Sequence, residues 1–236
     1  MLRRSPPDLP QGPEKARAVR AMFDAIAPRY DLVNRVMTLR MDVGWRRAAV
    51  RTLGLAPGAR VLDIACGTGD LCRELASAGL APVGLDVSWN MLAHARTAAP
   101  LVHADALALP LADASVDGAV CGFALRNLVD LPAFAAELAR VVRPGGRIAL
   151  LEVAAPTNPL LAAGHRVYFG RVAPLIGGAL SDRAAYRYLP RSVAYLPPQP
   201  ALLAVFERAG FDPPRRRALS GGVAQLISAS RTGSGS

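Results

Sequence analysis

Lysine is almost missing from this chain. Lys15 is the only one, and every other basic side chain apart from three histidines is arginine. Cysteine is scarce as well. Cys66, Cys72 and Cys121 are too few for a disulfide scaffold and their spacings match no zinc pattern, so no metal is expected and a reducing, cytoplasmic setting is implied. No apolar run approaches the roughly 18–20 residues of a membrane span. The opening MLRRSPPDLPQGPEK has basic residues with no apolar stretch behind them, so it does not read as a secretory signal. Hydrophobic residues at 52% against charged residues at 19% exclude wholesale disorder. A chain of 236 residues can bury an enzyme-sized core in one domain.

What is plentiful is arginine, and the formal net charge is +10. Such a field attracts polyanions or anionic lipid surfaces. A compositional bias toward alanine, arginine, proline and glycine explains the charge equally well, so charge alone names no partner.

Residues 1–15 are rich in proline and lack an apolar period, which reads as a flexible arm. A single domain is expected over 16–231, with a short flexible tail at 232–236. Apolar residues at three- and four-residue steps make 16–54 helical, broken at Pro28. Short apolar runs then alternate with helical stretches. Arg60–Ala65, Pro82–Leu85, Leu101–His103, Gly118–Cys121 and Arg147–Val153 read as strands, and Asp70–Ala78, Trp89–Arg96 and Pro132–Val142 as helices. That alternation implies an α/β fold with a parallel sheet covered by helices on both faces. Residues 157–196 leave this rhythm, with tyrosines among arginines and small residues, and read as a helical cap insertion. Gln199–Ala209 reads as one more helix, and Arg215–Leu219 and Val223–Ser228 as a closing pair of strands.

The sharpest local signal is Val61-Leu62-Asp63-Ile64-Ala65-Cys66-Gly67-Thr68-Gly69-Asp70, a strand entering a glycine loop before a helix. Glycines let backbone approach a ligand without a Cβ in the way. A dinucleotide loop needs a third glycine, and that position is Cys72. The loop is flanked by Asp63 and Asp70, which would repel a pyrophosphate and attract a ligand carrying an ammonium and a sulfonium. The acids therefore favour S-adenosyl-L-methionine over a nicotinamide dinucleotide, with Asp63, Gly67 and Gly69 at the cofactor. Asp63 also suits a structural role that braces the loop. Asp86 closes the second strand, where a carboxylate accepts ribose hydroxyls. Asp105 follows the third strand and is a candidate for the adenine amino group.

These residues, with MFDAIAPRYDLVN at 22–34, WRR at 45–47, FALRN at 123–127, RPGG at 143–146 and YRYLPRS at 186–192, make the chain similar to the menaquinone/ubiquinone-biosynthesis C-methyltransferase family over roughly 20–230. The resemblance implies a class I Rossmann-like methyltransferase with a seven-stranded, mostly parallel sheet, helices on both faces and a helical cap. It implies methyl transfer from S-adenosyl-L-methionine to a ring carbon of a prenylated quinol. It also implies cofactor contacts from Thr68, Asp86 and the Asp105-Ala106 pair. Gly122 stands where some members have a serine contact, Ala124 and Arg40 where glycine is usual, and Ala184 where an acid is common.

A ring carbon becomes nucleophilic when its neighbouring hydroxyl loses a proton, and a phenol-like pKa is near ~10. Arg126, just past the fourth strand, is the first candidate to stabilise that phenolate, with a water taking the proton. Asn127 is a candidate to orient a quinol oxygen, with Tyr30 beside them. Tyr30, Asn34, Tyr188 and Arg191 are expected over the ring. His165, in the cap, is a weaker candidate for the substrate side, and Cys66 reads as a small buried residue. Arginines 29, 35, 40, 46, 47 and 51 suit transient docking on an anionic membrane face. A second copy of the chain is a further candidate partner. Methylation of another phenolic or lipid small molecule fits the same cofactor half, as does a non-catalytic scaffold. A nucleic-acid substrate is not expected, because the chain lacks the Asn/Asp-Pro-Pro-Tyr/Phe motif and any appended RNA-binding module.

Overall fold

A computed structural model describes residues 10–168, 188 and 191–233. Helices α1 (Gly12–Ile26), α2 (Tyr30–Met37) and α3 (Met41–Leu53) open the chain, with a 3-10 turn at Ala27–Arg29. Pro28 separates α1 from α2, as its ring and missing N–H require. Helix α1 begins at Gly12, with a proline in its first turn, so residues 12–15 of the expected arm are helical.

Strands β1 (Arg60–Ile64), β2 (Ala81–Asp86), β3 (Leu101–His103), β4 (Val116–Gly122) and β5 (Val142–Val153) follow. They alternate with α4 (Asp70–Ser77), α5 (Trp89–Ala93) and α6 (Leu131–Val141). After β5 come α7 (Pro159–Val167), α8 (Gln199–Arg208), β6 (Arg215–Leu219) and β7 (Ala224–Ser230). The seven strands pair in the order β3-β2-β1-β4-β5-β7-β6, with β7 antiparallel to both neighbours and the pairings from β3 through β5 parallel. The cap region at 157–196 is described only at its two ends and at Tyr188.

Period-two alternation builds the two faces. Leu62, Ile64, Ala119, Ile148 and Leu150 pack with Phe134 and Leu138 of α6 and Phe206 of α8. Val61, Val120, Ala149 and Leu151 pack on the other face with Trp45, Leu53, Leu71 and Leu75 of α3 and α4. Helix α5 and strand β5 also differ from the pattern in the sequence. Helix α5 stops at Ala93 because the Arg96 N–H donates instead to the Thr68 carbonyl at 3.0 Å. Strand β5 starts at Val142, which pairs with Val116 across an irregularity before Gly118.

The strand order reverses between β1 and β4. That switch point opens a crevice at the carboxyl ends of the strands, the usual ligand position in such sheets.

Candidate active site

Beyond β1 the chain turns through Ala65 and Gly67, both in the left-handed region. A Cβ on Gly67 would point toward the Tyr30 ring, 4.0 Å away, so glycine keeps this side of the crevice open. Gly69 also has positive φ, and a Cβ there would lie 2.7 Å from a Thr97 methyl, which fixes it as the turn into α4. The Gly67 N–H donates to Asp86 Oδ2 at 2.8 Å and the Ser88 N–H to Oδ1 at 2.8 Å. Burial raises the Asp86 pKa, against the pull of those backbone donors. A first cleft of about 880 Å³ runs from Gly67 and Asp86 to Asp105, Ala106 and Asn127, roofed by Val19 and Phe23 of α1. Asp105 accepts the Leu107 N–H at 2.9 Å, and Gly122 lies on the same wall. A Cβ at 122 would meet Leu71 Cδ1 at 2.9 Å.

Asp63 lies beneath the loop with no exposed surface. The Cys72 thiol sits 3.2 Å from its Oδ2, while Oδ1 has no hydrogen-bond partner among the described residues. Burial pushes its pKa up to about 7. It shares a small recess with Arg46, Thr68 and Asp70. The Thr68 hydroxyl donates to Asp31. The charge of Asp70, read in the sequence as an attraction for a cation, is met by Arg35, Arg46 and Arg73. Three guanidinium groups compensate that carboxylate, so the site's remaining acid character comes from Asp86 and Asp105 on the first cleft, with Asp63 buried behind the loop.

A second cleft of about 1250 Å³ lies behind a wall formed by Tyr30 and Phe123, which line both clefts. Phe123 has a φ of 62°, an uncommon strain for a bulky residue at the end of a strand. Asn34, Trp45, Arg126, Val153 and His165 line this larger space, which is mainly apolar. Tyr30 hydrogen-bonds Asn34, and its burial raises its pKa. Arg126 is buried and ion-paired with Glu152, which has no exposed surface. Its Nε donates to Ser192 Oγ at 3.0 Å and its NH1 to the Phe123 carbonyl at 2.5 Å. Burial lowers the His165 pKa, which favours the neutral imidazole. Thr38 and Arg46 hold the Asp42 carboxyl below its usual range although burial works to raise it.

The expected residues therefore divide. Thr68, Gly67, Asp86, Asp105, Ala106, Gly122 and Asn127 meet at the first cleft or its recess. Asn34 and Arg126 meet at the second, and Tyr30 stands between. Tyr188 donates to Asn127 Oδ1 at 3.2 Å without lining either cleft, and Arg191 is exposed and lines neither. Glu152, Asp31 and Phe123 were not singled out in the sequence. A carboxylate inside the apolar run RIALLEV was the available sign of Glu152.

The arrangement offers an acidic loop for a cationic ligand beside an apolar chamber for a neutral one, with two aromatic rings between them. Comparison with known proteins agrees. The ubiE/COQ5 methyltransferase family matches residues 11–231. The chain is 44% identical over 225 residues to the ubiquinone/menaquinone biosynthesis C-methyltransferase UbiE of Syntrophotalea carbinolica, spanning 90% of this chain and 94% of that protein. It is 41% identical to the demethylmenaquinone methyltransferase of Desulfitobacterium hafniense, over 92% of this chain and 91% of the other. Among solved structures, a SAM-dependent methyltransferase of Thermotoga maritima shares the fold with a TM-score of 0.61 at 17% identity, covering 90% of this chain and 99% of that one. A phosphoethanolamine N-methyltransferase 2 of Haemonchus contortus, in complex with S-adenosyl-L-methionine, shares it with a TM-score of 0.59 at 17% identity, over 80% of this chain and 52% of that one. The chain belongs to the ubiE/COQ5 methyltransferase family.

Proposed function

We propose that this protein is an S-adenosyl-L-methionine-dependent C-methyltransferase that converts a demethylated prenyl quinol, demethylmenaquinol above all, to its methylated form in respiratory quinone biosynthesis. The observation that carries the reading is the pair of clefts divided by Tyr30 and Phe123. One presents carboxylates to a cation and the other is a mainly apolar chamber, in a chain more than 40% identical to enzymes named for this reaction.

The residues suit the cofactor. Asp63 Oδ1 is a buried acceptor without a partner among the described residues, which matches an ammonium group. The Asp86 carboxylate keeps lone pairs for two ribose hydroxyls beyond the two N–H groups it already accepts. Asp105 and Ala106 form the adenine end, Thr68 and Gly69 shape the loop, and Gly122 gives backbone where other members use serine. When bound, S-adenosyl-L-methionine supplies a methyl group already attached to a good leaving group.

The protein's own work is alignment, exclusion of water and management of one proton. Tyr30 and Phe123 hold the quinol ring at the wall between the clefts. Arg126 donates from the Arg126–Glu152 pair to the quinol oxygen and favours its ionised form, while a water accepts the proton. Because Glu152 compensates the guanidinium, the stabilisation is that of aimed N–H dipoles rather than of a bare cation. Asn34 hydrogen-bonds Tyr30 and sets its ring. Asn127, held by the Tyr188 hydroxyl, stands on the first-cleft side of the wall, and Arg191 lies outside this set at the cap surface.

The prenyl chain of the substrate resides in a bilayer. No described helix is long and apolar enough to cross a membrane. The three free cysteines suit a reducing setting, and the protein meets its quinol at the cytoplasmic face of the membrane. The deciding experiment supplies isotopically labelled methyl donor with demethylated naphthoquinol and benzoquinol and identifies products by mass spectrometry. Label on the naphthoquinol ring is expected. Label on neither ring, with the donor bound, would overturn the reading.

A further inference from the structure

Among the described residues, most of the exposed large apolar side chains lie on two segments, 32–41 and 160–167. Leu32 is 56% exposed, Leu39 72%, Leu160 82%, Leu161 51% and Val167 54%. Leu32 and Leu39 belong to α2 and the turn after it, and the other three to α7. The two groups are joined, because the Tyr168 hydroxyl donates to the Met37 carbonyl at 2.8 Å and so ties the end of α7 to the end of α2. Met37 and Thr38 from one side, and His165 and Arg166 from the other, line the second cleft. Leu39 and Val167 thus adjoin the cleft wall in the chain, and Leu32, Leu160 and Leu161 lie on the same two helices.

The turn itself is costly to make. Leu39 and Arg40 are consecutive non-glycine residues with φ of 50° and 62°. Side chains rarely accept that region, and two in succession need a reason. The result of the strain is that Leu39, Arg40 and Met41 all stand exposed at the tip. Nothing about folding rewards a leucine there.

Among the described residues, the exposed charge around the rim has one sign. Arg29, Arg40 and Arg166 are exposed. The acids of the same segments turn inward, Asp31 accepting from Thr68 and Asp42 from Thr38 and Arg46. Between residues 157 and 168 there is no acid at all. Apolar side chains that insert, set among arginines that meet phosphate, are the two signals that together hold a protein on an anionic bilayer when neither suffices alone.

We propose that this rim, Leu32 and Leu39 with Leu160, Leu161 and Val167, is the face that docks on an anionic lipid bilayer, and that the isoprenoid chain passes between α2 and α7 while the ring occupies the second cleft. The proposal rests on a prenylated quinol being the substrate. It adds where the membrane lies and how the chain enters. The tail then never crosses water, and the first cleft, on the far side of Tyr30 and Phe123, stays open to exchange its soluble cofactor.

The test uses the full chain with vesicles of neutral lipid alone and of neutral lipid with about one third phosphatidylglycerol, at low and high salt. Wild type is expected to float with the anionic vesicles at low salt and to be released at high salt. The double variant Leu39→Glu with Leu160→Glu is expected to lose at least tenfold in vesicle binding. Its methyl transfer to long-chain quinol embedded in vesicles should fall in parallel. Transfer to a short-chain, water-soluble quinol should stay within twofold of wild type, which also shows that the variant folds. Trp89→Glu, an exposed aromatic outside the rim, is expected to float as wild type does. Wild type that ignores anionic vesicles, or a double variant that binds them undiminished, would overturn the proposal. Wild type that floats through the rim yet methylates no quinol of either chain length would overturn the substrate reading and leave the docking face standing.

Discussion

The two clefts share a wall of two rings and are otherwise built in opposite ways. The first is made by the backbone of successive strand ends. Gly67 binds Asp86, Asp86 binds Ser88, and Ser88 Oγ caps α5 by accepting from Met91 at 3.1 Å. Every partner lies within one βα unit of the next. The second is made by side chains brought from far apart in the chain. Arg126 meets Glu152 and Ser192, and the Trp45 indole donates to Ser220 at 2.8 Å. A cleft of the first kind tolerates change in the surrounding helices. A cleft of the second kind fails when one partner is lost.

The largest effect should therefore come from Glu152→Gln. The substitution leaves the Arg126 guanidinium buried without its counter-ion, which costs about 3–5 kcal/mol of stability. Chemical denaturation checks it. Donor affinity, measured by calorimetry on the folded variant, should change little because Glu152 does not line the first cleft. Removing both charges with Arg126→Met and Glu152→Leu should restore part of the stability, since the Arg126 and Val153 N–H groups lose the acceptor they have in Glu152, and none of the methyl transfer. If Glu152→Gln weakened donor binding as much as it weakened the fold, the two clefts would not be separable.

The same contrast explains which features are legible in the sequence. The parallel sheet, its order of helices and strands, and the glycine loop were legible because each is written in local periodicity and punctuation. Thr68, Asp86 and Asp105 fall at strand ends, where position alone marks them. Asp70 is visible but its charge is not open to a ligand, since Arg35 and Arg46 reach it from helices three and two elements earlier. Glu152 was hidden inside an apolar strand, and its partner is 26 positions earlier. Asp31 stands in the 22–34 motif with nothing there to mark its role, though it accepts the Thr68 hydroxyl across 37 positions. Pairings of that span leave no trace in spacing, and one of them, Arg126 with Glu152, anchors the second cleft.

Asp63 sharpens the comparison from the cofactor side. Its pKa is raised from an ordinary 3.8 to about 7 by burial. A raised carboxylate contributes stability that is complete below the unfolded value and is lost as pH rises through the folded one. Above pH 7 the protein therefore carries an ionised, incompletely partnered carboxylate in its interior. Asp63→Asn should stabilise the ligand-free protein at pH 8 by about 2–4 kcal/mol, with the gain vanishing toward pH 4. The same variant should bind the donor at least tenfold more weakly. Thermal unfolding across pH, with and without donor, measures both. A variant that gains no stability at pH 8 would show that Asp63 is well solvated or fully partnered, and the fit of the recess to an ammonium would lose its main support.

The smallest effect concerns the helix that roofs the first cleft. Lys15, the chain's only lysine, donates from Nζ to the Leu128 carbonyl at 2.7 Å and lies 3.8 Å above the centre of the Tyr195 ring. At the other end of α1, Asp24 accepts from the Ser88 hydroxyl at 2.6 Å. The helix is thus strapped at both ends across a cleft that its Val19 and Phe23 cover. Burial lowers the Lys15 pKa from 10.5 to about 8. A lowered amine favours the fold when neutral, so its contribution is full above pH 10.5 and is lost as pH falls through 8. Against Lys15→Met, wild type should gain stability between pH 7 and 10, by no more than about 2 kcal/mol. Because no other lysine competes, an amine-acylating reagent at pH 8 reads the opening of α1 directly, with peptide mapping to set aside the α-amino group. Saturating donor should slow labelling of Lys15 about fivefold, since a lid closed over its ligand opens less often. Labelling at the same rate with and without donor would mean that α1 is a fixed wall, and that the cofactor enters the first cleft by another side.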